Sequence, residues 1–192
     1  MTKEEILQIF RESGALLEGH FLLTSGRHSD RYMQCAQVLR FPDKTARLCA
    51  VIAEKFKDEK IDLVIGPAMG GILVSYETAR HLGLPSIFAE REAGKMALRR
   101  GFSIRPGEKV LVVEDVITTG GSVKEVIDVV EAQGGEVVGV GVLVDRSNGA
   151  IDFGLPLVSV LSMEVKSYQP EACPLCAAGK SDLIKPGSRN IK

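Results

Sequence analysis

The chain has 192 residues, of which 24 are Lys or Arg and 25 are Asp or Glu, so its formal net charge is −1. A chain of this length predicts one domain, and the even charge argues against a nucleic-acid partner and against a polybasic membrane-binding surface. Hydrophobic residues make up 45% of the chain, which is enough for a core and excludes disorder along its whole length.

The first predicted elements are two helices. Thr2 and Glu5 have the spacing of a capping box, which predicts a helix at the N-terminus. A second helix is predicted from Asp43, directly after Pro42.

The charged N-terminus lacks the apolar stretch of a signal peptide, and four cysteines do not resemble a disulfide framework. We therefore expect a cytoplasmic protein.

From residue 62 onward, apolar strands and helices alternate. Helices are predicted at 72–82 and from the Gly-rich turn near 120 to about 134, with a charged connection at 91–105. The longest apolar run, 137–144, is far below the ~20 residues that span a bilayer. Strands are predicted at 62–65, 86–89, 109–115, 137–144 and 157–161.

Continuously apolar strands separated by helices indicate a parallel sheet that is covered on both faces. The prediction is an α/β fold: a doubly wound, mostly parallel sheet of about five strands with helices on both faces. Residues 1–192 form one domain in this interpretation. Residues 1–40 are a helix and a small N-terminal hood, 41–166 are the α/β core, and 167–192 are an irregular C-terminal tail.

Ligands of such sheets bind outside the carboxyl ends of the strands. This rule selects three strand-to-loop junctions, at Gly66–Gly71, Glu114–Ser122 and Asp145–Arg146. Because all three belong to parallel strands, we expect them at one edge of the sheet.

The second junction combines an acidic pair with an anion-binding turn. In residues 118–122, two glycines let backbone N–H groups converge, Thr and Ser add hydroxyl donors, and a helix N-terminus follows. Glu114 and Asp115 would repel a phosphate but accept hydrogen bonds from sugar hydroxyls. Each feature alone is compatible with an ordinary strand end or helix cap. Together they favour a site for a ribose 5-phosphate.

Residues 112–122, VVEDVITTGGS, resemble the phosphoribosyl-diphosphate motif of the type I phosphoribosyltransferases. The resemblance implies the fold of that family. It also implies that Glu114 and Asp115 hold the ribose hydroxyls. The 5-phosphate would be wrapped by Val116, Ile117, Thr118, Thr119, Gly120, Gly121 and Ser122.

Two further segments resemble the orotate phosphoribosyltransferases. Residues 21–32 look like the hood of that family, and Asp145-Arg146 looks like its pair at the end of a late strand. The resemblance implies that Arg146 and Thr118 contact orotate, and a guanidinium suits a carboxylate because it binds bidentately. The implied reaction converts orotate and 5-phosphoribosyl 1-diphosphate into orotidine 5′-phosphate and diphosphate, a step of pyrimidine biosynthesis. Mg²⁺ on the diphosphate, no protein metal ligand, and a homodimer with shared active sites are implied as well.

Three segments depart from the family pattern. Thr24 stands where the hood often has Lys, and the diphosphate loop at 67–71 has no Lys. The mobile loop at 91–100 is short and has no His, which leaves Arg91, Lys95, Arg99 and Arg100 as its plausible diphosphate ligands. Lys95 and Asp115 are the predicted catalytic residues. The alternative for the loop is a solvated hairpin without a catalytic part.

Cys173 and Cys176 form a C-x-x-C pair that leaves three alternatives open. Half of a zinc site is one, but a tetrahedral site needs four ligands, and Cys35, Cys49 and the nearest histidine in sequence, His81, are no obvious partners. A redox pair is the second alternative, and plain structural thiols are the favoured one. His20, His28 and His81 are interpreted as isolated, with His28 a candidate ligand contact in the hood.

Two rival functions remain open at this stage. A phosphoribosyltransferase for a purine base or uracil would use the same ribose-phosphate motif. A non-enzymatic regulator that senses phosphoribosyl diphosphate would also use it, although the chain has neither the length nor the charge for an added DNA-binding helix pair or basic RNA face.

Overall fold

A computed structural model describes residues 1–23, 25–179 and 182–186. The described chain carries a six-stranded sheet in the order β5-β4-β3-β6-β7-β8 and a small sheet in the order β1-β2-β9. The strands are β1 Leu16–Leu22, β2 His28–Met33, β3 Leu63–Pro67, β4 Ser86–Glu92, β5 Lys95–Leu98, β6 Lys109–Ile117, β7 Glu136–Asp145, β8 Leu157–Ser162 and β9 Ser167–Tyr168. The helices are α1 Lys3–Glu12, α2 Ala36–Leu39, α3 Pro42–Phe56, α4 Gly70–Leu82, α5 Gly121–Ala132, a 3₁₀ turn Pro170–Ala172 and α6 Pro174–Ala177.

The predicted α/β fold with a mostly parallel sheet and helices on both faces is confirmed. Strands β4, β3, β6, β7 and β8 pair in parallel, as expected for strands joined by helices. The sixth strand, β5, pairs antiparallel with β4. Residues 91–98 therefore form the end of a β-hairpin within the stretch that we predicted as a charged connection and mobile loop.

Strand β6 shows how the sheet builds two cores. Its four consecutive aliphatic residues have no exposed surface. Leu111 and Val113 pack in the cluster that includes α1, α3 and α4, whereas Val110 and Val112 pack in the cluster beneath α5. Because successive side chains of a strand point to opposite faces, a continuous apolar run requires cover on both sides.

Helix starts follow local chemistry. The capping box is present at α1, where the Thr2 backbone N–H donates to Glu5 and the Glu5 N–H donates to Oγ1 of Thr2. Helix α3 begins with Pro42 in its first turn, a position at which the missing N–H costs no hydrogen bond. Helix α4 begins at Gly70, two residues earlier than predicted, so the glycines of the diphosphate loop belong to its first turn.

The small sheet joins the two ends of the chain. Strands β1 and β2 form the hood hairpin, with Glu18 opposite Arg31 but Phe21 opposite Ser29, so β1 holds one extra residue in a β-bulge. The tail, predicted as irregular, contributes β9 to this sheet, the 3₁₀ turn and α6, and Ile184 bridges to Phe21. No helix within the described parts of the chain has both the length and the apolar character needed to cross a membrane.

Candidate active site

The three junctions selected from the sequence do lie on neighbouring strands. β6 lies between β3 and β7, and Ile117 near its end pairs with Asp145 of β7. The N–H of Arg146 donates to the carbonyl of Ile117 over 2.9 Å. β6 runs to Ile117, two residues further than predicted, so the acidic pair sits within the strand.

The acidic pair is held in an environment that disfavours negative charge. Glu114 is 8% exposed, and its Oε1 accepts the backbone N–H of Asp115 over 2.9 Å. Burial, followed by the neighbouring charge of Asp115, raises the pKa of Glu114 to about 9. Burial also raises the pKa of Asp115. Two such carboxyls gain most from hydroxyl donors or from positive charge placed beside them.

The diphosphate loop at 67–71 packs directly on this pair. A Cβ atom built on Gly70 would overlap the carboxylate of Asp115, and one built on Gly71 would lie 2.7 Å from Cδ of Pro67 and 3.3 Å from Oε1 of Glu114. Only glycine therefore allows the backbone to approach the acids so closely. The loop and the pair form one continuous surface.

The predicted phosphate-binding turn is a concave feature at the start of α5. Glu114 and residues 116–123 line a cavity of about 70 Å³, roughly the volume of two water molecules in the liquid. Gly120 is the N-cap of α5 with a positive φ of 75°, and no side chain caps the helix there. The first N–H groups of α5 thus remain available to an anion. Thr118 and Thr119 are exposed beside them.

Arg146 and Asp145 have different surroundings. The Nε of Arg146 is buried and has no hydrogen-bond partner among the described residues. Its charge lowers the pKa of Cys35, which burial and Asp115 raise more strongly, so Arg146 acts electrostatically on the same region as the acidic pair. Asp145 instead accepts the N–H and the hydroxyl of Ser147 at 2.7 and 2.6 Å and orders the following turn.

The hairpin at 91–98 packs on α5. Arg91 donates to the carbonyl of Gly94 and to Glu125 of α5, at 2.9 and 3.0 Å. Arg99 and Arg100 form ion pairs with Glu90, and Arg99 also pairs with Glu92. Lys95 lines an open depression of about 350 Å³ together with Glu125, Asp128 and residues of the α5 surface. The structure therefore places Lys95 and Arg91 beside α5, while the other predicted site residues gather at the ends of β6 and β7.

The hood is tied to the C-terminal tail. Arg27 donates to the hydroxyl and the carbonyl of Ser167 at 2.8 and 2.5 Å, and the hydroxyl of Ser29 donates to the carbonyl of Lys166 at 2.7 Å. Thr24, the departure noted in the hood, lies outside the described residues. The interpretation of His20 and His28 as isolated residues is wrong, because both ring systems meet each other and the C-x-x-C pair.

Replacing Glu114 with glutamine is expected to make the ligand-free protein increasingly more stable than the wild type as the pH rises. The folded wild type keeps the Glu114 proton up to about pH 9, whereas the unfolded carboxyl loses it near ~4.3. The folded state thus binds more protons between these values, so wild-type stability falls across that range. Thermal unfolding of both proteins between about pH 5 and pH 9 measures the difference. Curves that stay parallel to those of an exposed-acid control, Glu131→Gln, would contradict the raised pKa.

The comparisons with known proteins agree with this geometry. The phosphoribosyl transferase domain family matches residues 35–170. The chain is 62% identical over 191 residues to the orotate phosphoribosyltransferase of Desulforamulus reducens, covering 100% of both chains. The crystal structure of Mycobacterium tuberculosis H37Rv orotate phosphoribosyltransferase in complex with Fe(III) dicitrate superposes with a TM-score of 0.71 at 28% identity, covering 84% of this chain and 96% of that one.

A second solved structure gives the same result. The orotate phosphoribosyltransferase of Aeropyrum pernix is 30% identical, with a TM-score of 0.68 over 82% of this chain and 93% of that one. Fold, motif and full-length similarity therefore coincide. The chain belongs to the orotate phosphoribosyltransferase family.

Proposed function

We propose that this protein transfers the 5-phosphoribosyl group from 5-phosphoribosyl 1-diphosphate to a ring nitrogen of orotate, forming orotidine 5′-phosphate and diphosphate. The observation that carries the proposal is the position of Arg146, whose Nε is buried without a hydrogen-bond partner among the described residues. It directly follows Asp145, which pairs with the end of the strand that carries the acidic pair, and helix α5 begins after that strand without a side-chain cap. The full-length relatives with this activity in their names support it.

The chain's own residues supply positioning and charge. The start of α5 holds the 5-phosphate, and Glu114 and Asp115 accept hydrogen bonds from the ribose hydroxyls. The bond between C1 and oxygen breaks with its electron pair leaving on diphosphate, and the nitrogen forms the new bond to C1 as its proton is released. Positive charge that develops on the ribose favours the ionised forms of the acidic pair, and the ionised carboxylates in turn stabilise that charge. Arg146 and Thr118 orient orotate, which lowers the entropy cost of the encounter.

Mg²⁺ fits the donor set beside the diphosphate loop. Glu114 and Asp115 carry carboxyl oxygens, which suit the hydration shell of Mg²⁺, and burial raises both of their pKa values, so a nearby cation would favour their ionised forms. When bound to the diphosphate, the ion neutralises the leaving group. The acidic pair would hold the ion's hydration shell and the ribose hydroxyls together.

A homodimer is part of the proposal. Helix α4 exposes Leu73 and Tyr76 at 47% and 66%, and Met69 immediately before it is 82% exposed. These three side chains form an apolar surface next to the diphosphate loop, where contact with a second copy would cover it. None of the four cysteines, all of which lie within the described residues, forms a disulfide, which suits a reducing cytoplasm, and the cytoplasmic location remains a prediction.

Lys95→Ala is expected to lower turnover by about tenfold to a hundredfold at saturating substrate, because a cation that meets the leaving diphosphate is lost. If Lys95 acts on the partner's site, mixing Lys95→Ala with Asp115→Asn subunits restores activity, since half of the dimers then contain one intact site. Random mixing should recover about a quarter of the wild-type rate. Unchanged turnover of Lys95→Ala contradicts its catalytic part, and mixtures as inactive as either variant contradict shared sites.

One spectrophotometric experiment tests the function. Purified protein is mixed with orotate, 5-phosphoribosyl 1-diphosphate and Mg²⁺, and the loss of orotate absorbance is followed. Orotate consumption that requires all three components is the expected result. Turnover only with adenine, hypoxanthine or uracil would select a different phosphoribosyltransferase, and binding of phosphoribosyl diphosphate without turnover of any base would select a regulator.

A further inference from the structure

Four metal-ligating side chains meet at the junction between the hood and the C-terminal tail. His20 comes from β1 and His28 from β2, while Cys173 immediately precedes α6 and Cys176 lies within it. One ligand atom from each of these residues can be chosen so that all four lie within 4.8 Å of one another. The contacting histidines and cysteines are separated by 148 to 156 residues in sequence. Only the folded chain brings them together.

Four of the six distances between these atoms are close to the edges of a tetrahedral coordination sphere, and none exceeds 4.8 Å. Zn–S bonds of ~2.3 Å and Zn–N bonds of ~2.0–2.1 Å give edges of about 3.3 Å between nitrogens and about 3.5 Å between nitrogen and sulfur. Nε2 of His20 lies 3.0 Å from Nδ1 of His28. The nitrogen–sulfur distances are 3.5 Å from His20 to Cys173, 3.7 Å from His20 to Cys176 and 3.3 Å from His28 to Cys176.

Hydrogen bonding alone does not account for this convergence. A ring nitrogen of neutral histidine has one position, either a single donor hydrogen or a single acceptor lone pair. Nε2 of His20 nevertheless has three partner atoms, one nitrogen and two sulfurs, at these distances. A cation at the centre would accept a lone pair from each of the four side chains at once.

The bulge in β1 builds the histidine half of the cluster. Cross-strand partners share a face, and Leu22 is the partner of His28. Residue 20 shares the face of residue 22 because side chains alternate with a period of two. Without the extra residue, His28 would pair with Phe21, which points to the opposite face from His20. The irregularity thus places both imidazoles on the side where α6 presents its cysteines.

We propose that His20, His28, Cys173 and Cys176 bind one Zn²⁺ per chain as a structural site. Two thiolates and two imidazoles in a tetrahedral arrangement select zinc among the common divalent ions. All four positions are filled by protein atoms, which is typical of structural rather than catalytic zinc. His20, His28 and Cys173 are buried, at 7%, 6% and 2% exposure, so the ion is shielded except on the side of Cys176.

The zinc connects the tail covalently to the hood. Without it, the tail is held there by the short β9–β2 pairing, the bonds of Arg27 and Ser29 to residues 166–167, and the pairing of Ile184 with the backbone of β1. Such a two-residue strand adds little stability by itself. The metal fixes the orientation of the hood hairpin, and its binding displaces the protons of both thiols.

Zinc content is measured on protein that carries no histidine tag. The expected result is about one zinc per chain in the wild type and less than about a tenth of that in Cys173→Ser and Cys176→Ser. Two matched controls retain the metal: Cys49→Ala removes a buried thiol from α3, and His81→Gln removes a histidine whose Nε2 contacts the carbonyl of Ala46. Removal of zinc by a chelator should lower the Tm of the wild type but not that of the two Ser variants.

A second measurement on the wild type keeps the test decisive if the Ser variants fail to fold. Apoprotein reconstituted with Co²⁺ should show the ligand-field and thiolate charge-transfer absorption of a tetrahedral site with two sulfur ligands. Absence of zinc after purification together with failure to bind Zn²⁺ or Co²⁺ would overturn the proposal. A thiol titration of the denatured protein without reductant that finds two thiols fewer than the number of cysteines would also overturn the proposal, because Cys173 and Cys176 would then form a disulfide.

Discussion

Replacing Arg146 with glutamine is expected to lower kcat/KM for orotate by about 10²–10³-fold while leaving the KM for phosphoribosyl diphosphate nearly unchanged. The guanidinium has a buried Nε without a hydrogen-bond partner in the described structure. A carboxylate of the incoming base would supply that partner, and glutamine can neither neutralise it nor bind it bidentately. Steady-state kinetics with each substrate varied in turn measure the effect.

Two companion variants make this result specific. Arg146→Lys keeps the charge but loses the planar fork, so its kcat/KM should fall between those of the wild type and Arg146→Gln. Arg105→Gln removes an arginine that already pairs with Glu108 at 2.9 Å, and it should leave the kinetics unchanged. An unchanged kcat/KM for orotate in Arg146→Gln would assign orotate recognition to other residues.

The second large effect is expected at Gly120. Gly120→Val should weaken binding of phosphoribosyl diphosphate by about 10²-fold or more, since each ~1.4 kcal/mol is a factor of ten and strained backbone costs of order 1–3 kcal/mol before any steric clash. The residue has a φ of 75°, and its Cβ would lie 3.0 Å from the ring of Phe153 and 3.2 Å from Ile151. Both effects move the first N–H groups of α5 away from the phosphate.

Isothermal titration with phosphoribosyl diphosphate and Mg²⁺ measures the loss. Gly101→Val is the matched control, because Gly101 also has a positive φ, of 76°, but its Cβ would meet no atom within 4 Å. It should lower the Tm slightly and leave the affinity unchanged. Equal losses of affinity in the two variants would mean that global destabilisation, rather than the geometry of the turn, is responsible.

The core strands could be predicted because burial on both faces leaves a direct record in the sequence. Residues 110–113 are four consecutive aliphatics, and each is completely buried in the structure. The acidic pair could also be predicted as part of a site, because charged side chains directly after such an apolar run require a partner. The hairpin at 91–98 could not be predicted from the sequence, since its turn uses Ala93 with a φ of 48° in place of the Asn or Asp that usually precedes a turn glycine.

The cysteine–histidine cluster could not be found from spacing either. Its two halves lie at opposite ends of the chain, and the histidines share a face only because β1 contains a bulge. A bulge leaves no composition signal, and the alternation of a regular hairpin predicts the two rings on opposite faces. The sequence showed Cys173 and Cys176 as half of a possible metal site, whereas the two histidine ligands depend on the register of the hood strands.

Under the proposed function, the close contact of Gly70 with Asp115 would limit which carbon of the sugar can carry the diphosphate. Since the diphosphate loop rests on the carboxylate without an intervening side chain, the two surfaces keep a fixed separation. Under the proposed assignment, a sugar must present its diphosphate on the carbon adjacent to the hydroxyls that Asp115 holds. A ribose that carries the diphosphate at C5 could not bring the diphosphate to the loop and its hydroxyls to Asp115 at the same time, so under this proposal we expect reaction at the anomeric carbon.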